Sequence, residues 1–311
     1  MCINFSQALN SLKKAKSAGR ASQELRYFMQ PEGVAGSRVP YGANTTVGNF
    51  AVSSDASIYY ETYGKGEPLV VLHGGAVGSA YELGTLIDRL RETFTVIVVS
   101  TRGHGRSEIG TEPLSIEQKV RDVLAVIDAA AGKRPVRILG FSDGAYTALM
   151  LASLHPERVE RIAAIGAGTL KPGFFTAGTL RVSDIEKADK AFVDQQRGLM
   201  PEPDRLQEFW TAYMDFWSKT EVGKELLSAI RCPVLLIAGD EDDHAPAATV
   251  LQAHAWIPNS RLCIVPKAWH AAFLDNFAVT WAAIEPFMSA KASALEPSRK
   301  VPMNSEFSLT R

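Results

Sequence analysis

The segment Gly140-Phe141-Ser142-Asp143-Gly144 joins two apolar runs, residues 136–139 and residues 145–152. The first has the length and composition of a buried strand, and the second that of a helix packed closely on a sheet. A serine held between strand and helix sits on a tight, strained turn that lifts its hydroxyl clear of the backbone. The glycines two residues away on each side relieve the crowding of such a turn. A serine hydroxyl is a poor nucleophile at neutral pH, so the arrangement implies a base and a group that orients the base. The chain supplies candidates for both, in the order Ser, Asp, His. The apolar run 232–238 ends in Gly239-Asp240-Glu241-Asp242-Asp243-His244-Ala245-Pro246, and the run 261–265 is followed by Pro266-Lys267-Ala268-Trp269-His270. Each candidate leaves the C-terminal end of a predicted strand, where ligands gather in open α/β sheets.

Asp240, Glu241, Asp242 and Asp243 crowd the first of these loops, and spacing alone leaves the choice among them open. Among the six histidines, His270 alone follows the last predicted strand and precedes the final amphipathic helix, residues 272–288. His73, His104, His155, His244 and His254 lack that position. With a carboxylate on its Nδ1–H, His270 would keep Nε2 for the serine proton. A further buried-strand pattern, residues 68–72, opens into His73-Gly74-Gly75-Ala76-Val77-Gly78. Glycine lets a loop bring its N–H close to a developing oxyanion, so the N–H groups of Gly75 and of Asp143 are the expected donors. No Gly-Lys-Ser/Thr follows this loop, and no Gly-x-Gly-x-x-Gly stands at this strand end, so it is not a nucleotide loop.

The elements that must position these groups alternate strand with helix, which predicts an α/β fold with a mostly parallel central sheet and helices on both faces. Ser115-Ile116-Glu117-Gln118 reads as a capping box. The helix it opens carries Val120, Val123, Leu124 and Ile127 on one face. Between the strand at 161–167 and the strand at 233 lies an insertion with two helical patterns, residues 184–197 and 203–219. The second places Leu206, Phe209, Trp210, Tyr213, Phe216 and Trp217 at helical spacing. Residues 1–46 form an N-terminal extension, with a polar, basic, helix-like run over 7–28 and a turn-rich stretch over 31–44. Residues 291–311 form a polar tail.

Composition narrows the function classes. At 311 residues and 46% hydrophobic content, one domain with a sizeable core is expected. A net charge of −1 without a dense basic stripe argues against nucleic acid as a partner. No apolar run approaches the ~20 residues of a membrane span. Three cysteines, with Cys232 and Cys263 inside predicted core strands, fit a reducing compartment, and a cytoplasmic location is expected. No metal-ligand spacing is present, and neither a metal nor another cofactor is expected. The spacing of His244 and His254 suits loop and helix-surface residues better than ligands. A small-molecule substrate is the expected partner, and oligomeric state is not legible.

Residues from about 47 to 288 resemble an α/β-hydrolase throughout. The landmarks are the His-Gly-Gly loop, the Gly-Phe-Ser-Asp-Gly turn, both downstream loops, and Ser100-Thr101-Arg102-Gly103-His104-Gly105-Arg106-Ser107 after the strand at 94–99. In this family the Arg-Gly-His-Gly-x-Ser stretch is structural, which leaves His104 out of the chemistry. The pattern Gly-Asp-x-Asp-x-x-x-Pro resembles the family's acid loop, whose second aspartate orients the histidine. The resemblance therefore assigns that role to Asp242, with Asp240 shaping the loop and Asp243 as runner-up. It also implies a hydrolase domain over 47–290 whose insertion, about 170–230, is a small helical lid. Trp210, Tyr213 and Trp217 would then line an apolar substrate pocket.

The Ser-Asp-Gly turn is similar to that of the biphenyl-hydrolase-like serine hydrolases. There the aspartate after the nucleophile helps bind a substrate α-amino group, a role that would fall on Asp143. Ala145 in place of a second glycine and a different oxyanion loop depart from that group. The expected function is hydrolysis of a small carboxylic ester, or an amide or lactone, through an acyl-enzyme on Ser142, His270 and Asp242. Carbon–carbon bond hydrolases and perhydrolases use the same triad and stay open. A ligand-binding or signalling homologue with little turnover is the alternative of another class.

Overall fold

A computed structural model describes residues 25–291. Eight strands form one sheet: β1 (Gly48–Ser53), β2 (Ala56–Tyr63), β3 (Pro68–Leu72), β4 (Thr95–Val99), β5 (Val136–Phe141), β6 (Val159–Ile165), β7 (Val234–Gly239) and β8 (Ser260–Val265). Their spatial order is β1-β2-β4-β3-β5-β6-β7-β8. The hairpin β1–β2 and the pair β2–β4 are antiparallel, and every other pairing is parallel. Nine α-helices are described: α1 (Gly84–Leu90), α2 (Ile116–Ala131), α3 (Asp143–Leu154), α4 (Val182–Leu199), α5 (Leu206–Lys219), α6 (Lys224–Ser228), α7 (Ala247–Trp256), α8 (Ala272–Asp275) and α9 (Phe277–Ser289).

Parallel strands covered on both faces read as continuous apolar runs, as in Pro68-Leu69-Val70-Val71-Leu72. Alternate residues of β3 serve different layers. Leu69 and Val71 pack with Leu86, Ile87 and Leu90 of α1 and with Phe287 of α9. Val70 and Leu72 pack with Val123 and Ile127 of α2 and with Leu149 of α3. Because β3, β5, β7 and β8 run parallel, their C-terminal ends share one edge of the sheet. That edge carries the loops after Leu72, Phe141, Gly239 and Val265. The topology alone gathers the chemistry-bearing residues.

Several local expectations change. Ser115 accepts the Gln118 N–H at 3.1 Å, but the Gln118 amide turns inward to Asp122 at 2.7 Å, so only half of the capping box forms. Gln118 and Asp122 are buried because Arg102 lies against them, its guanidinium donating twice to Asp122 at 2.8 and 2.9 Å. Leu124 is only partly buried and Val126 takes its place in the core. The predicted final helix breaks at Asn276 (φ −142°, ψ 74°), whose side chain accepts the Val279 N–H and starts α9 afresh. Cys232 lies just ahead of β7, and Cys263, within β8, is only partly buried.

The two helices expected in the insertion are α4 and α5. Asp189 interrupts α4 with φ −150° and ψ 78°. Its carboxylate accepts the Phe192 N–H at 3.1 Å, as a residue capping a new helix does, and also the Met29 N–H at 2.8 Å. Arg26 pairs with the same carboxylate at 2.9 Å, and Phe28 meets Phe192 edge-on at 5.6 Å. Of the helix-like run expected over 7–28, residues 7–24 lie outside the described residues, and 25–28 are not helical. Residues 292–311 of the expected tail also lie outside them. Among the described residues, no helix is long and apolar enough to cross a membrane.

Candidate active site

Ser142 stands between β5 and α3 with φ 50° and ψ −118°, a conformation that favours glycine and that a serine holds only under strain. Three constraints impose it. The Ser142 N–H donates to Ile165 O at 2.8 Å, and the Gly144 N–H donates to His73 O at 3.1 Å. The third is close packing of the flanking glycines. A Cβ on Gly140 would press on Ala145 N at 2.7 Å, and one on Gly144 would collide with the Leu72 carbonyl. The two glycines therefore let α3 start hard against β3 and β5, which is a tighter requirement than relief of the turn itself.

His270 Nε2 lies 2.8 Å from Ser142 Oγ, and His270 Nδ1 lies 2.9 Å from Asp242 Oδ2. With Nδ1–H donating to the carboxylate, Nε2 is left to accept the Ser142 hydroxyl proton. The Asp242 side chain is fully buried and Oδ1 also accepts the N–H groups of His244 and Ala245, both at 2.8 Å. Burial alone would push its pKa up. The hydrogen bond and charge of His270, with those two amides, outweigh burial and hold it below the usual aspartate range. Burial drives the His270 pKa the other way, below the usual histidine value, more strongly than Asp242 raises it.

The neighbouring acids take separate parts. Asp240 Oδ1 accepts the Ala268 N–H at 3.2 Å, tying the acid loop to the histidine loop. Asp243 turns outward to His244 Nδ1 at 2.7 Å, and both side chains are 43% exposed. The His244 ring stacks on His270 at 4.8 Å, a contact that sequence spacing does not suggest. Asp242, His244 and His270 thus converge closely enough to hold a metal ion. Two stacked rings cannot easily aim their nitrogens at one ion, and Asp242 and His270 are already bonded to each other.

Among the described residues, no hydrogen bond joins the rings of the remaining histidines to Ser142. His73 is buried, and its Nε2 accepts the Thr101 N–H at 3.0 Å. Burial, then the nearby His104, lowers its pKa to about 3. His104 is buried 4.9 Å from His73, His155 lies beside Glu157, and His254 bonds Ser260.

The loop after β3 reaches the start of α3. A Cβ on Gly75 would stand 2.9 Å from Asp143 Cβ and would overlap the Tyr213 hydroxyl. The backbones of Gly75 and Asp143, the two expected oxyanion donors, therefore lie side by side. Sequence spacing gives no sign of Glu82, whose Oε1 accepts the Gly74 N–H at 2.7 Å and whose carboxyl burial pushes up to about 8.

Asp143 itself is 2% exposed, and its carboxylate is taken by the chain's own donors. Lys119 Nζ lies 3.0 Å from Oδ2, and Trp217 Nε1 donates to Oδ1 at 3.1 Å. Tyr213 lies against it as well, its phenol held well above the ordinary range by burial and then by the Asp143 charge. The carboxylate that the resemblance offers to a substrate α-amino group already has a cation. Tyr213 and Trp217 come to Asp143 because they lie one turn apart on α5. Trp210 lies on the same face of α5 but two turns before Trp217: it is buried with its indole N–H unpartnered, and among the described residues no ring contact or hydrogen bond joins it to the site.

Known proteins are similar to this chain in sequence and fold. The alpha/beta hydrolase fold family matches residues 67–184. The serine hydrolase BPHL of Homo sapiens is 25% identical over 255 residues, covering 78% of this chain and 87% of that protein. A pimeloyl-(acyl-carrier protein) methyl ester esterase of Neisseria meningitidis serogroup C is 30% identical over 236 residues, covering 66% of this chain and 87% of the esterase. Among solved structures, a serine hydrolase involved in carbazole degradation superposes with a TM-score of 0.67 at 22% identity, covering 79% of this chain and 99% of that one.

Proposed function

We propose, since this chain belongs to the α/β-hydrolase family, that it is a serine hydrolase cleaving small, uncharged carboxylic esters through an acyl-enzyme. The observation that carries this reading is the unbroken line from Asp242 through His270 to the strained Ser142, at 2.9 and 2.8 Å.

In the first half-reaction Ser142 Oγ attacks the ester carbonyl carbon as its proton passes to His270 Nε2. The carbonyl oxygen becomes an oxyanion facing the N–H groups of Gly75 and Asp143. As the C–O bond to the alcohol breaks, the Nε2 proton goes to the leaving oxygen. In the second half-reaction a water gives its proton to Nε2 and attacks the acyl carbon. Collapse frees the carboxylic acid and returns the proton to Ser142. Asp242 stays ionised and holds the imidazole in one tautomer throughout. Ester and water are consumed, and acid and alcohol are formed.

Two features support the choice of an uncharged ester. The Asp143 charge is already paired with Lys119, and the lid presents the rings of Tyr213 and Trp217 to the same place. The relatives' names support the ester-hydrolase part of the reading: one is a methyl ester esterase, and another, 28% identical, is a putative carbamate hydrolase.

Short p-nitrophenyl acyl esters should therefore be turned over, with no preference for those bearing an α-amino group. An aminoacyl ester hydrolysed tenfold faster or more than its des-amino analogue would refute the assignment of Asp143. The pH profile follows from His270, which works as a base only when neutral. Its pKa is lowered by burial. The acid limb of kcat/KM should thus fall below the ordinary histidine value of ~6.5, with activity lost as pH drops through it. An acid limb at or above the ordinary value would contradict that assignment.

A further inference from the structure

Asp143 puts a carboxylate on the residue whose backbone N–H faces the developing oxyanion. Unpaired, that negative charge would oppose the one the site has to stabilise, and a water-poor site makes the opposition strong. Lys119 meets it from α2, an element that supplies nothing else to the Ser142–His270–Asp242 line. Its ammonium lies 3.0 Å from Asp143, with the two side chains 10% and 1% exposed. It stands 5.9 Å from the Tyr213 ring centre and 6.0 Å from that of Trp217, between the lid and the start of α3. Buried ion pairs are seldom more stabilising than an apolar replacement. A pair so enclosed, beside the reacting centre, is better explained by what it does there.

We propose that Lys119 is the counter-ion of Asp143 and acts through it as a positioning residue, cancelling its charge beside the oxyanion and fixing the first turn of α3. This inference rests on the acyl-transfer reading above. Asp143 in turn links three elements, since Lys119 is on α2, Trp217 is on the lid helix α5, and its own backbone starts α3. The arrangement leaves no carboxylate oxygen free of a chain donor, which accounts for a site built around uncharged substrates.

The test is a double-mutant cycle on the full chain, with Lys119→Met, Asp143→Asn and both together. Three quantities are read below the melting temperature of each variant: the second-order rate of fluorophosphonate labelling, and kcat and KM on a p-nitrophenyl ester. Lys119→Met should lose on the order of 10²-fold in labelling rate and kcat, the scale of a lost oxyanion donor, with KM moved only a few-fold. Asp143→Asn should lose less. The double variant should recover to the level of Asp143→Asn, because the charge that Lys119 cancels is gone. Wild-type rates in Lys119→Met, or a double variant no better than Lys119→Met, would overturn the proposal.

If Lys119→Met does not fold, the comparison of Asp143→Asn with the double variant decides. Equal rates support the counter-ion role, and a further loss in the double variant refutes it. A wild type that is not labelled overturns the acyl-transfer reading and this inference with it. A labelled wild type with the wrong pattern among the variants overturns this inference alone.

Discussion

Ser142→Ala is expected to abolish fluorophosphonate labelling and to lower kcat on a p-nitrophenyl ester by about 10⁶-fold, the scale measured when the nucleophile of a serine protease triad is removed. The structure makes this a clean substitution. The Ser142 N–H bond to Ile165 and the packing of Gly140 and Gly144 involve only backbone, and alanine keeps them. Alanine also bears the same left-handed φ of 50° that serine bears, so the melting temperature should stay close to that of the wild type. Ser142→Gly should be equally inactive yet more stable, because glycine releases strain on the order of 1–3 kcal/mol at such a position. Labelling that persists in Ser142→Ala would place the nucleophile elsewhere. A glycine variant no more stable than the alanine one would mean that the turn stores no strain.

The frame of this site was legible because few physical rules govern it. Apolar runs such as Val234-Leu235-Leu236-Ile237 admit little besides a buried parallel strand, and chemistry in open parallel sheets collects at strand C-termini. Those two facts put Ser142 and His270 at one edge of the sheet, and the structure places His270 Nε2 2.8 Å from Ser142 Oγ. The surroundings of α5 and of Asp143 were less legible because they depend on how helices rotate and dock. Periodicity shows that α5 is amphipathic, but packing decides that Tyr213 and Trp217 turn toward Asp143 and that Trp210 does not. Lys119 neighbours the apolar stripe of α2 and looks in sequence like part of a solvated face. Only the approach of α2 to α3 reveals that it is buried against Asp143, 24 positions away. The breaks at Asp189 and Asn276 have a similar origin. In both, a side-chain oxygen competes for the helix's own N–H groups and restarts it, which hydrophobic spacing does not register.

Asp242→Asn is expected to lower kcat by ~10⁴-fold, as loss of the orienting carboxylate does in the type case, whereas Asp243→Asn should lower it only a few-fold. Both replace one acid of the same loop by its amide, so the contrast isolates what each carboxylate does. The Asp242→Asn variant can keep the loop folded, since the amide oxygen can still accept the N–H groups of His244 and Ala245. It cannot present two acceptor oxygens to His270 Nδ1, which now lies 3.0 and 2.9 Å from the two oxygens of Asp242. An amide N–H₂ turned toward that ring favours the tautomer protonated on Nε2, which donates to Ser142 instead of accepting its proton. The carboxylate charge that stabilises the imidazolium during transfer is lost as well. Asp243 hydrogen-bonds His244 at the half-exposed edge of the loop, and its charge makes only the last and smallest of the contributions to the His270 pKa. Its loss should loosen the ring that stacks on His270 without reaching Nδ1 or Nε2. Comparable losses in the two variants, with both folded by circular dichroism, would show that the acid loop orients His270 through more than Asp242. The reverse order would move the orienting role to Asp243.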